Sequence, residues 1–160
     1  MDVLALTFAQ AAMVAFQAAW LSIAAYSNIR YPRTNRDYVE RVLTMELTQE
    51  NPAIYEDHNH RRLTDPTVMA RLFAVVCVAE TVVALALWAA VVLLLLSLLG
   101  AVPAATARAV ALLAVAAFTS IWAAFLVGGQ WFHYWVSELS PQGTHFSMVL
   151  WGLATLLLLK

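Results

Sequence analysis

Four apolar runs constrain this chain more than any other feature of its sequence. They cover residues 3–27, 66–99, 104–136 and 145–159, the last being short for a full membrane crossing. A hydrocarbon core about 30 Å thick is crossed by a helix of about 20 apolar residues. None of the runs alternates apolar and polar residues as the strands of a membrane barrel do. The pattern therefore predicts an all-α fold, an integral membrane four-helix bundle, with a turn over residues 137–144 before the last run.

The charged residues are concentrated in residues 28–65, between the first two runs, where 13 of the 19 formal charges lie. Thr34 and Asp37 have the spacing of a capping box at a helix start, and apolar residues then recur at helical spacing up to Leu47. The sequence predicts an ordered extramembrane loop of about 40 residues with a short amphipathic helix, on the membrane surface or against the bundle. Ordering such a loop lowers the chain entropy, so it needs contacts from the bundle or from a larger assembly.

Composition narrows the class of protein further. Only 12% of the 160 residues are charged, against about 25% in a typical soluble domain, so residues 1–160 are predicted to form a single membrane domain in contact with lipid.

Several classes of function are excluded by the sequence. The net charge of −1 gives no electrostatic basis for nucleic-acid binding. Cys77 is the only cysteine, which excludes an internal disulfide. The sequence contains no recognisable phosphate-binding loop, catalytic carboxylate pair or nucleophile–base set, and we predict that the chain is not an enzyme.

Glu80 is the one acidic residue inside an apolar run. A carboxyl group in hydrocarbon is expected to face a polar partner. Gln17 and Gln130 lie at a comparable depth from the loop side, so the three side chains are predicted to form one intramembrane polar layer. Such a layer either fixes helix packing through interhelical hydrogen bonds or serves a small proton-coupled transporter centred on Glu80.

The third run ends in a segment of glycine and aromatic residues that includes Gly128, Gly129, Trp131, Phe132 and Trp135. Aromatic rings of this kind settle at headgroup level, and small residues four positions apart let a second helix approach closely. We predict that these residues form a docking surface for a partner subunit or a lipid. The alternative is that they only anchor the helix at the interface and pack within the bundle.

The four histidines form two pairs of candidate ligands. His58 and His60 lie beside acidic residues in the loop and predict a divalent-metal site, with a solvated polar loop as the alternative. His133 and His145 lie near the same membrane surface and, with Trp131, are the candidates for a haem or quinone site, since haem b requires histidines on facing helices. The prediction preferred here is a chain without a cofactor or a metal.

Short motifs recur at corresponding places in a known family. They are Asn28-Ile29 after the first run, Val42-Leu43-Thr44-Met45 in the loop, Ala79-Glu80 in the second run, and Gly128-Gly129-Gln130-Trp131-Phe132 with Trp135 at the end of the third. On these pieces the chain resembles the uncharacterised bacterial predicted small integral membrane proteins (domain of unknown function 2165). The resemblance covers nearly the whole chain and implies four spans, without an established activity.

The orientation of the chain is predicted from the same resemblance. Family members tend to have a strongly basic turn between spans two and three, which implies that this turn and both termini are cytoplasmic and that the large loop is periplasmic. This chain departs from the family because its turn holds only Arg108. Counting arginines alone favours the opposite orientation, since residues 28–65 contain six. We follow the family arrangement, in a bacterial inner (cytoplasmic) membrane.

These features predict a non-catalytic accessory or assembly subunit of a bacterial inner-membrane complex, respiratory or photosynthetic. Such a subunit acts by packing helices and lipid against larger integral membrane subunits. The alternatives are a haem- or quinone-binding membrane anchor that uses His133 and His145, and the proton-coupled transporter that uses Glu80.

Overall fold

The computed structural model describes residues 3–160, which fold as helices and short connections without a β-strand. This confirms the all-α prediction for that part of the chain. In chain order the helices are α1 (Val3–Arg30), α2 (Pro32–Leu43), a 3-10 helix (Glu46–Glu50), α3 (Pro52–His58), a 3-10 helix (Asn59–Arg61), α4 (Pro66–Leu98), α5 (Ala104–Phe132), a 3-10 helix (Tyr134–Val136) and α6 (Leu139–Leu158).

Three helices among residues 3–160 are long and apolar enough to cross a membrane, namely α1, α4 and α5. The 20 residues of α6 do not meet that criterion, because its first two turns are polar. The predicted turn over residues 137–144 is wrong from residue 139 onwards. Pro141 lies in the first turn of α6, where a missing N–H removes no helical hydrogen bond.

The four long helices pack in chain order, with α1 against α4, α4 against α5, and α5 against α6. We call the half of this arrangement nearest the chain termini the closed half, because α1 meets α6 there. Gln10 Nε2 donates to the carbonyl oxygen of Leu158 at 2.8 Å, and Gln17 Nε2 donates to Thr155 Oγ1 at 3.0 Å. Buried alanines on α1, α4 and α5 line this core and let the helices approach closely.

The opposite half, next to residues 31–65, is called the open half. Here α1 and α6 diverge, and α2 lies against α1 and α4. The amphipathic helix begins at Pro32, so the predicted start at Thr34 is wrong. Proline fits the first helical position because its φ angle suits the helix and its absent N–H is not needed there.

Residues 44–65 contain further helical turns that sequence patterning does not predict. Met45 is buried with a left-handed φ of 58°, which reverses the chain after α2. Pro52 begins α3, since a proline fits the first helical position. The Leu63 N–H donates to the Leu43 carbonyl oxygen at 2.8 Å, and Ser137 Oγ donates to the Leu47 carbonyl oxygen. The contacts that order the loop thus come from the chain itself.

Candidate functional site

A chain of polar side chains links three helices in the open half. Glu80 on α4 is only 3% exposed, and its Oε2 accepts a hydrogen bond from Asn28 Nδ2 at 2.7 Å. Asn28 Oδ1 in turn accepts from Asn35 Nδ2 on α2. Glu80 Oε1 has no hydrogen-bond partner among residues 3–160. A buried carboxyl group therefore has one oxygen held by an amide and the other oxygen free.

The predicted polar layer of Glu80, Gln17 and Gln130 is wrong in its membership. Gln17 bonds to α6 in the closed half, and Gln130 is exposed. Counting residues from the loop side does not give the depth of a side chain here, because α4 extends past the end of α1. Glu80 lies 14 residues after Pro66, the first residue of α4, which is about 21 Å of helix. Glu80 consequently lies level with Asn28 in the last turn of α1. The signal that sequence reasoning missed is Asn28 itself, a polar residue at the loop end of the first run.

A cavity of about 1000 Å³ lies among α1, α4, α5 and α6 in the open half, at the upper end of the range for small-molecule sites. The apolar face of α2, which includes Tyr38, Val39 and Val42, covers it from the loop side. Glu80 and Asn28 both belong to its wall. The apolar face that the sequence pattern predicts for α2 is therefore the face that lines this cavity.

Differences in exposure show where this cavity opens. Phe73 and Trp122 are buried in its wall, whereas Trp20 and Ile23 on α1 also line it and are 45% and 68% exposed. The exposed pair lies inside a helix that is long and apolar enough to span a bilayer. This apolar part of the cavity rim therefore lies on a membrane-spanning helix, whereas the exposed side chains of Asn35, Ser140 and Thr144 form a polar part of the rim next to the loop.

A second polar pair lines the cavity from the α5–α6 side. The Tyr134 hydroxyl and His145 Nδ1 are 2.9 Å apart, and the His145 ring lies 5.1 Å from the Phe125 ring and 5.7 Å from the Trp122 ring. Nε2 of His145 has no hydrogen-bond partner in the described chain. When Tyr134 donates to Nδ1, a neutral imidazole carries its proton on Nε2. The wall then offers a donor at His145 and an acceptor at Glu80 Oε1.

The residues predicted as one docking surface separate into different environments. Gly128, Gly129 and Phe132 line the cavity, and an added Cβ on Gly128 would meet no atom within 4 Å. A Cβ on Gly129 would collide with Tyr134, which explains the glycine. Trp131 is 54% exposed and points away from this group, whereas Trp135 lies half-buried in the following 3-10 turn. The structure therefore does not bring these five residues onto one face.

The predicted histidine pairs are not formed. His58 packs edge-on against His133, with ring centroids 4.3 Å apart, and His60 is exposed. Arg61 Nη1 lies 3.3 Å from His133 Nε2 and its guanidinium stacks on the Trp131 ring at 4.7 Å. Within residues 3–160 there is no cluster of three or more side chains suited to a metal ion.

The environment of His133 differs from that of His145. Burial, followed by the neighbouring His58 and Arg61, lowers the pKa of His133 below its ordinary value. His133 also follows the end of α5 in a left-handed conformation, with φ 52°, rather than standing on a helix face. Because the two rings contact different neighbours, the structure does not present them as facing axial ligands.

The outer face of α4 is a separate surface. A shallow apolar groove runs over Ala74, Val75, Val78, Ala79 and Val82. Exposed large apolar side chains continue along this helix from Val68 to Leu95, and Leu99 at its C-cap is also exposed. Small residues in such a groove allow another helix to pack closely.

Comparison with known proteins matches most of the chain to a family. Residues 6–160 match the family model described as predicted small integral membrane protein (DUF2165). No curated protein matches the chain. No solved structure matches it either.

Proposed function

Because the chain belongs to the family of predicted small integral membrane proteins, we propose that it is a non-catalytic accessory or assembly subunit of a bacterial inner-membrane complex, respiratory or photosynthetic. It packs its exposed helix faces, with lipid, against larger integral membrane subunits. Both termini are cytoplasmic and residues 28–65 are periplasmic in this proposal, with α6 as the fourth crossing of a four-helix bundle.

The length of the exposed apolar face of α4 carries the proposal. From Val68 to Leu99 the helix rises about 46 Å, and exposed apolar side chains recur throughout this length. A hydrocarbon core of about 30 Å covers that length only at a tilt of about 50°, beyond the roughly 40° upper limit of observed tilts. Part of this face therefore requires an apolar partner other than lipid tails.

The uncovered part lies at the loop end of α4. The 14 residues from Pro66 to Ala79 extend past the last turn of α1, because Glu80 pairs with Asn28 there. The groove around Val78 lies next to this extension and contains two alanines. A transmembrane helix of a larger subunit is the occupant that such a groove accommodates best.

The test is extraction of the tagged chain from native membranes into nanodiscs, with mass spectrometry of what co-migrates. We expect one or more larger membrane subunits at constant stoichiometry. Val78→Trp fills the groove and should abolish co-migration, whereas Val92→Trp, at a similarly exposed position on the same helix, should not. Migration of the chain alone as a homogeneous small oligomer, or equal behaviour of the two variants, contradicts the proposal.

The two alternatives from the sequence remain predictions with simple tests. A Soret band in the purified protein that is lost in His133→Ala favours the haem-binding anchor over the accessory subunit. Uptake into proteoliposomes that survives Glu80→Gln excludes a transporter centred on that residue.

A further inference from the structure

We propose that the cavity of the open half binds one amphiphile from the bilayer, an apolar chain that carries a small uncharged head group with hydroxyl or carbonyl oxygens. Long-chain alcohols and prenylated quinones or quinols share this chemistry. The inference does not depend on the accessory role, because it uses the residues that enclose the cavity, of which only Val75 also belongs to the groove on α4.

The position of the mouth selects the route of entry. Trp20 and Ile23 form an exposed apolar part of the rim on a membrane-spanning helix, and on the loop side the rim is polar, with Asn35, Ser140 and Thr144 exposed. A ligand that enters between apolar side chains in hydrocarbon is itself soluble in hydrocarbon. Ala124 and Gly128 leave room beside α5, because nothing lies within 4 Å of a Cβ on Gly128.

The polar groups of the wall select the head group. Glu80 Oε1 and His145 Nε2 are both without a partner in the described chain, so a head group with hydroxyl or carbonyl oxygens can bind at either side of the cavity. The lining residues include no arginine or lysine. A phosphate or carboxylate head would therefore bury its charge without a partner, beside an existing carboxyl group, which is strongly unfavourable.

The test uses the purified full-length protein in detergent and probes that share one brominated alkyl chain. The heads are a hydroxyl, a benzoquinone and a carboxylate, and a brominated phosphatidylglycerol serves as the fourth probe. Bromine quenches nearby indoles, and Trp20 and Trp122 line the cavity. We expect saturable quenching at one molecule per chain by the hydroxyl or quinone probe. The carboxylate probe and the phospholipid should bind at least about tenfold more weakly, as expected when a charge is buried unpaired.

Two substitutions localise the binding. Gly128→Leu projects a side chain into the cavity and should weaken binding of the preferred probe at least about tenfold, a loss of one order of magnitude in Kd. Val127→Leu, on the adjacent exposed position, should leave binding unchanged. Whichever of the hydroxyl and quinone probes binds more tightly identifies the source of the ligand. Equal or tighter binding of the anionic probes, unsaturable quenching, or quenching that is the same in Gly128→Leu overturns the inference.

Discussion

The closed and open halves of this molecule are built from the same four helices and differ in what lies between them. In the closed half, buried alanines such as Ala18 and Ala111 bring helices together, and glutamines on α1 bond to α6. In the open half, the bulky side chains of Phe125 and Trp122, with the Glu80–Asn28 pair, surround a cavity. In this chain the closed half is joined by glutamine hydrogen bonds between α1 and α6, whereas the open half leaves a buried carboxyl–amide pair in the wall of a cavity.

Two phenylalanines on α5 provide the strongest test of this comparison. Phe118 is fully buried and its ring lies 5.9 Å from Trp122 and 6.0 Å from Trp151. Phe118→Ala creates a new void and should lower the free energy of unfolding by about 3 kcal/mol. Phe125→Ala only enlarges an existing cavity and loses ring contacts, which should lower it by about 1 kcal/mol. Unfolding in mixed micelles measures both, and equal losses would contradict the distinction between the halves.

Two glycines on α6 test the close packing directly. A Cβ on Gly152 would run into Thr119 Oγ1, whereas a Cβ on Gly143 would meet nothing within 4 Å. Gly152→Leu should therefore destabilise the chain by about 2 kcal/mol through overpacking. Gly143→Leu is the matched control and should leave the thermal unfolding temperature unchanged or slightly higher, since leucine favours helix. A tolerated Gly152→Leu would show that α5 and α6 are not in close contact there.

Gln17 tests the hydrogen bonds that hold the closed half together. Gln17→Leu keeps the approximate shape of the side chain but removes the bond to Thr155. Interhelical hydrogen bonds in membranes contribute about 0.6 kcal/mol on average, so a loss of about 1 kcal/mol is the largest effect we expect. Gln130→Leu, on an exposed position, serves as the control. A Gln17→Leu variant more stable than the wild type would show that the bond from Gln17 to Thr155 does not stabilise the closed half.

The smallest expected effect is a loss of α2 docking at alkaline pH, caused by ionisation of Tyr38. Burial, and secondarily Glu138, raises the pKa of Tyr38 from 10.0 to about 12. Because the folded pKa lies above the unfolded one, the docking of α2 is unaffected below pH 10 and weakens as the pH rises from 10 to 12. Tyr38→Phe should remove part of the loss of helical circular dichroism in that range. Tyr26→Phe, at an exposed position of α1, should not.

The long helices were predictable because apolar length alone determines them, and the amphipathic face of α2 followed from its periodicity. Two errors in the helix bounds share one physical origin, which is the treatment of proline. Pro32 precedes the predicted helix start at Thr34 and Pro141 lies in the predicted turn over residues 137–144, yet both lie in the first turn of a helix. A proline marks both the end of one segment and the start of another, and sequence spacing does not distinguish the two.

The candidate site was predictable only in part. The carboxyl group of Glu80 required a polar partner, and an amide does supply it. The identity of the partner depends on how far α4 extends past α1, which no local pattern contains. The cavity likewise results from the divergence of α1 and α6, and the stacking of Arg61 on Trp131 joins residues 70 positions apart.

The glutamine bonds between α1 and α6 also bear on how the chain is synthesised. Gln17 and Thr155 are separated by 138 residues, and translation proceeds at roughly 5–20 residues per second. For roughly 7 to 28 seconds after Gln17 is synthesised, its amide therefore has no partner on α6. Over that interval the Gln10 and Gln17 amides of the nascent α1 lack the acceptors on α6 that they have in the folded chain.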